Sequence, residues 1–203
     1  MQLSALPSLF ACLFLASCAT ESAATSGPEA DAVEPAEVQS ELAEAQPEPE
    51  PDTRTADLRT VFYAVEIDAP VELVWERTFS AEGYTQWTAP FMEGSYFEGD
   101  WEEGESMHFL APGGSGMLAV IETHRPLELM SIKHIGFVVG GVENTSGPGV
   151  ESWAPAYENY HFESIPGGTR FTVEHEILAA SEADMAAVWG RALQALKELC
   201  EQG

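Results

Sequence analysis

Basic residues are scarce: eight Lys and Arg stand against 34 Asp and Glu in 203 residues, a formal net charge of −26. So acidic a chain repels phosphate backbones, which excludes nucleic acid as a partner, and it repels anionic lipid as well. Cysteine is almost lacking, with only Cys12, Cys18 and Cys200 in the chain. No two His or Cys residues have zinc spacing, so no metal site is expected. No apolar run reaches the roughly 18 residues that a spanning helix needs. Gly113-Gly114-Ser115-Gly116 lacks the lysine and the strand-to-helix setting of a phosphate-binding loop and reads as a hairpin turn. No serine stands in a G-x-S-x-G nucleophile motif, and no cofactor is implied. The acidic cluster Asp100, Glu102, Glu103 and Glu105 lacks the ordered ligand spacing of a calcium loop and reads as a solvated hairpin tip.

What is present begins with a short apolar run, Leu9 to Leu15, long enough for a signal peptide and too short for a membrane span. It is followed by Leu15-Ala16-Ser17-Cys18, which resembles the lipobox of bacterial lipoproteins. That resemblance implies removal of residues 1–17 and acylation of Cys18, with the outer membrane favoured by Ala19 at the next position. Two or more acyl chains make a stable membrane anchor where one is marginal. No Lys or Arg precedes the run, so an ordinary secretory signal, giving a soluble periplasmic or secreted protein, stays open. With Cys12 discarded and Cys18 acylated, Cys200 is left alone and no intramolecular disulfide is expected. Its default role is that of a small buried hydrophobe.

Residues 18–57 then change character. From residue 19 on there is no aromatic residue, and eleven acids face one base, Arg54. Such a segment buries too little apolar surface to fold, and it reads as a disordered tether of about 35 Å root-mean-square reach. An acidic partner-binding segment is the alternative.

The remainder, residues 58–203, has the size of one domain with one core. Val61 to Ile67 alternates as a strand. Asp68-Ala69-Pro70 opens a helix carrying Val71, Val74 and Trp75, and Ser80 caps a second short helix with Tyr84 and Trp87. Strands are expected over 95–97, 106–110, 117–124, 129–139, 157–164 and 169–177, with a long loop over 140–156. Ser181 and Asp184 form a capping signature for a last helix, whose Met185, Val188, Trp189, Ala192, Leu196 and Leu199 trace one apolar face. These elements predict an α+β fold, a curved antiparallel sheet of six to seven strands wrapped around a long terminal helix.

The order of elements, with Ile67-Asp68-Ala69-Pro70-Val71-Glu72-Leu73-Val74-Trp75 and Gly167-Gly168-Thr169-Arg170-Phe171-Thr172-Val173, resembles the SRPBCC (START-like, helix-grip) superfamily. Within it the chain is most similar to the branch named after the activator of Hsp90 ATPase. The resemblance implies a cavity between sheet and terminal helix that takes an apolar or amphipathic ligand. It does not imply a reaction, because one fold carries many functions. An exported lipoprotein meets neither cytosolic Hsp90 nor ATP, so Hsp90 is not expected as a partner.

Strand alternation nominates the lining. Phe171, Val173, His175 and Ile177 share the inward parity, and Glu174 and Glu176 the outward one; Met130, Ile132 and His134 share another inward row, and Tyr160 and Phe162 a third. His134 and His175 are then expected two strands, about 10 Å, apart with Tyr160 between them. Met185 and Trp189 complete the cavity from the helix, and Trp153 in the long loop is a candidate lid. Each histidine has two open readings: a polar anchor for a ligand, or a core residue satisfied by a backbone carbonyl or water. No catalytic residue is assigned, and a binding protein is expected rather than an enzyme. A cyclase or hydro-lyase working in the same cavity, and an interaction module with a filled cavity, remain as alternatives.

Overall fold

The structure, a computed structural model, describes residues 57–202. The expected signal peptide, Cys18 and nearly all of the tether lie outside the described residues. The first strand, β1 (Leu58–Ile67), is followed by two short helices, α1 (Val71–Phe79) and α2 (Ala81–Trp87). Then come β2 (Tyr96–Glu98), β3 (Ser106–Leu110), β4 (Gly116–Arg125), β5 (Leu129–Val139), β6 (Val142–Asn144), α3 (Pro148–Glu151), β7 (Ala156–Ile165) and β8 (Gly168–Leu178). A 3-10 turn, Ala179–Ser181, leads into the 20-residue α4 (Glu182–Glu201).

All strand pairs are antiparallel, in the order β1-β8-β7-β5-β4-β3-β2. The eighth strand, β6, pairs with Phe137–Val139 of β5, beyond the stretch 129–134 that β7 occupies. The sheet thus has one strand more than expected, because part of the presumed loop 140–156 folds back as β6 and α3.

One departure from regular pairing gives β5 its shape. Leu118 pairs with Gly136 and Ala119 with His134, so Ile135 is an extra residue on β5. A bulge of this kind bends the strand and resets which residues face inward. His134 faces the cavity, while Ile135 and Val138 join Leu110, Leu118 and Tyr96 in a small cluster separate from the main core. Phe137, by the same shift, turns to the α4 side. Gly136 is required because a β-carbon there would stand 2.1 Å from the Asn144 carbonyl oxygen on β6.

Helix α4 covers the inner face of the sheet with Val188, Trp189, Ala192, Leu193, Leu196 and Cys200. Leu193 and Cys200 sit in this stripe; Leu199, expected on it, is only half-buried. Cys200 is a free, buried thiol of the core, as its default reading has it. Burial pushes it up to about 11, opposed by Arg77 and helped by Glu201 and Glu76.

The caps differ from expectation in two places. Ser80 does cap α2, accepting from the Gly83 N–H at 3.2 Å. Pro70 rather than Asp68 occupies the N-cap of α1, and Ser181 makes no side-chain bond at the start of α4. Asp68 instead donates its backbone N–H to Glu201 at 2.8 Å, tying the end of β1 to the end of α4. The buried Thr169 hydroxyl donates to the Ala69 carbonyl at 2.8 Å, fixing the same corner from β8. Among the described residues no helix is long and apolar enough to cross a membrane.

Candidate ligand-binding site

Between α4 and the sheet lies a cavity of about 320 Å³, within the few-hundred-Å³ range of small-molecule pockets. Every residue nominated from sequence lines it: His134 from β5, Tyr160 from β7, His175 from β8, Met185 and Trp189 from α4, and Trp153 from the segment after α3. Trp87 and Phe91 add aromatic wall from α2 and the turn beyond it, and Phe109 and Phe137 from β3 and β5. These rings interlock: Trp87 stacks on Trp189 with centroids 6.1 Å apart, and Phe91 meets Trp189 edge-on at 4.9 Å. Such contacts each add about 0.5–1.5 kcal/mol beyond burial, so the wall is stiff. Trp153 is buried, its ring 5.1 Å from Phe137 and its indole N–H donating to the Gly149 carbonyl at 2.9 Å.

The polar end of the cavity is centred on a residue that sequence reasoning passed over. Glu158 on β7 sits at the parity of Tyr160 and Phe162 and pairs across the ladder with Ile132 and His175. Its carboxylate is only 13% exposed. One oxygen, Oε2, is 3.3 Å from His134 Nε2 and 3.4 Å from His175 Nε2, and the other accepts a short hydrogen bond from the Tyr160 hydroxyl. The histidines do stand two strands apart, but the residue bridging them is Glu158. Tyr160 lies one step further along the strand, opposite Met130 and Val173. Neither open reading of the histidines anticipated this partner.

The signal was available. In Glu158-Asn159-Tyr160-His161-Phe162 the acid falls on the same side as two buried aromatics, where an alternating strand puts an acid only at some cost. An unpaired buried carboxylate is prohibitive, whereas one with two hydrogen bonds and a second imidazole beside it is tolerable.

Protonation states follow from the partners. The indole N–H of Trp189 donates to His175 Nδ1 at 3.2 Å, so Nδ1 is an acceptor and the ring proton sits on Nε2, facing Glu158. Protonating His175 sets two N–H groups against each other. Its pKa is lowered, first by burial and also by His134, with Glu158 and Glu176 opposing. Burial raises Glu158, but the imidazoles of His175 and His134 and the Tyr160 hydroxyl outweigh it and hold the carboxyl at about 2. Tyr160 is pushed well above its usual value by burial, by the Glu158 charge and by Tyr84. At neutral pH Glu158 is ionised, and His175, lowered by burial and accepting at Nδ1, faces it as a neutral ring.

Of the two acids expected to point outward, Glu176 instead reaches the cavity wall. Glu174 pairs with His161 at 3.2 Å, and Glu176 accepts from the Tyr157 N–H at 3.0 Å while its side chain also borders the cavity. At the hairpin tip, Glu103 accepts from the backbone N–H of His124. Among the described residues no group of three His, Cys, Asp or Glu is placed to hold a metal ion.

The family model described as "Activator of Hsp90 ATPase homolog 1-like protein" matches residues 68–201. The chain belongs to this family. Its helix-grip architecture is shared by solved structures of low sequence identity. The Aha1 dimer from Colwellia psychrerythraea is 18% identical, with a TM-score of 0.55, over 70% of this chain and 96% of its own. CalU16 from Micromonospora echinospora is 19% identical, with a TM-score of 0.50, over 72% of this chain and 78% of its own. DynU16, a protein from the dynemicin biosynthetic locus, is 17% identical, with a TM-score of 0.54, over 70% of this chain but only 47% of its own length. At such identities the likeness is one of fold, a ligand-binding fold in general terms. No curated protein sequence matches the chain.

Proposed function

We propose that this domain binds a small apolar or amphipathic molecule between α4 and the sheet, at a bacterial outer membrane to which Cys18 anchors it on the periplasmic side. The observation that carries the reading is the cavity itself: aromatic walls closing on one polar cluster, Glu158, His134, His175 and Tyr160. An apolar body gains about 25 cal/mol for each Å² it removes from water, and a few convergent polar groups orient it. The open volume gives no support to an interaction module with a filled cavity. In this setting the acidic segment after Cys18 serves as a spacer, holding the domain off the lipid. The Hsp90 partnership in the family's name is not proposed for this chain.

The test is native mass spectrometry of the chain purified from bacterial membranes, followed by solvent extraction. A co-purifying lipid or aromatic compound supports the reading, and a clean apo mass with no uptake from a metabolite pool contradicts it. The anchor is tested separately: radiolabelled palmitate incorporates into the chain and not into Cys18→Ala.

A second reading rests on Glu158. A desolvated carboxylate between two imidazoles and a phenol is a plausible proton-transfer centre, so a cyclase or hydro-lyase acting on the bound molecule is the alternative. It requires that Glu158→Gln abolish turnover while binding persists.

A further inference from the structure

The polarity of the cavity narrows the class of molecule it takes. Its charged lining residues are Glu158 and Glu176; no lysine or arginine among the described residues borders it. A carboxylate or phosphate head therefore has no cation to meet and is driven against an ionised acid. The histidines are the remaining source of positive charge: the indole N–H of Trp189 holds His175 in its neutral form, and His134 turns its Nε2 to the Glu158 carboxylate at 3.3 Å, where any charge on it is already met by that acid.

Acceptors, by contrast, are in surplus. A carboxylate has about four lone-pair sites; two hydrogen bonds reach Glu158, from His134 on Oε2 and Tyr160 on Oε1, with His175 Nε2 a further 3.4 Å contact to Oε2. His134 gives its Nε2 side to Glu158, and its Nδ1 is buried with no hydrogen-bond partner. In the neutral ring that nitrogen is an acceptor lacking a donor, on a side chain only 9% exposed. Buried polar atoms of this kind are uncommon, and each marks a place where a partner is missing. Trp87, Trp189, Phe91 and Phe109 present π faces around the same space, and such faces attract cations.

We propose that the cavity takes an apolar molecule bearing a protonated amine, whose N–H groups meet Glu158 and His134 while its hydrocarbon or aromatic body lies among the tryptophans, and that it turns anionic amphiphiles away. This rests on the binding function proposed above and specifies its ligand class. The strongly acidic domain, with 23 acids and seven bases in residues 58–203, also concentrates cations at its surface.

The test uses three probes of one shape: 1-naphthylmethylamine, 1-naphthalenemethanol and 1-naphthoate, titrated into the full chain at neutral pH and read by tryptophan fluorescence and calorimetry. The amine is expected to bind at least tenfold tighter than the carboxylate, with the alcohol between them. Glu158→Gln should bring the amine down to the level of the alcohol. The ranking in the unaltered chain is the primary readout, so the outcome does not depend on that variant folding. Naphthoate binding as tightly as the amine overturns the charge preference and leaves the binding function standing. Failure of all three to bind overturns the binding function and this inference with it.

Discussion

Replacing Glu158 by glutamine keeps the shape of the side chain and removes the charge on which His134, His175 and Tyr160 converge. The carboxyl is held at about 2 against a model value of 4.5. At about 1.4 kcal/mol per pKa unit the ionised cluster contributes on the order of 3 kcal/mol at neutral pH. Glutamine also presents an NH₂ group to a site built of donors, a mismatch of about 1–3 kcal/mol that the protonated acid shares and that is therefore already contained in that figure. The variant should therefore be about 3 kcal/mol less stable in urea unfolding at pH 7, a loss of roughly 6–12 °C in Tm for a domain of this size. Because the folded pKa is depressed, the contribution of Glu158 is present above the unfolded value and is lost as pH falls from about 4.5 towards 2. The gap between parent and variant should close over that interval. A variant as stable as the parent at pH 7, or a gap that persists unchanged at pH 2, refutes the account of the cluster.

Further expectations bear on its neighbours. Trp189→Phe removes the N–H that His175 Nδ1 accepts, so the His175 titration followed by NMR should move up, at a stability cost of about 1–3 kcal/mol; an unmoved midpoint contradicts the tautomer assignment. With its pKa lowered, His175 disfavours the folded state once the unfolded chain begins to bind a proton, so the parent should lose stability as pH drops below about 6.5, and His175→Gln should flatten that slope. Thr169→Val strands the buried Ala69 carbonyl and should cost about 1–3 kcal/mol in denaturant melts, whereas Thr169→Ser should recover most of it. Cys200, buried and raised to about 11, should react with iodoacetamide at neutral pH only on unfolding; native-state labelling at the rate of a free peptide thiol contradicts its place in the core.

Much of this molecule was legible in the sequence, for physical reasons that also explain the omissions. Long alternating strands such as 169–177, and the three-and-four spacing of Val188, Trp189, Ala192 and Leu196, each report a single buried face, and the fold follows from them. Short pieces did not report themselves. Val142–Asn144 is exposed at every position and carries no alternation; it pairs because Gly136 lets its backbone approach. The Ile135 bulge cannot be read from a period of two, so Phe137 was not nominated although it lines the cavity. Glu158 shares the inward parity of Tyr160 and Phe162, but only the three-dimensional register reveals the donors that make its burial tolerable.

Ala156 borders the cavity, is nearly fully buried and lies directly across from His134, which makes it the place to plug the site. The decisive measurement is a fluorescence titration of the neutral probe N-phenyl-1-naphthylamine into the full chain and into Ala156→Trp, with circular dichroism to show that both are folded. One saturable site per chain in the parent, lost in the plugged variant, is the predicted result; no saturable uptake by the parent, or equal uptake by both, contradicts a ligand-binding cavity between α4 and the sheet.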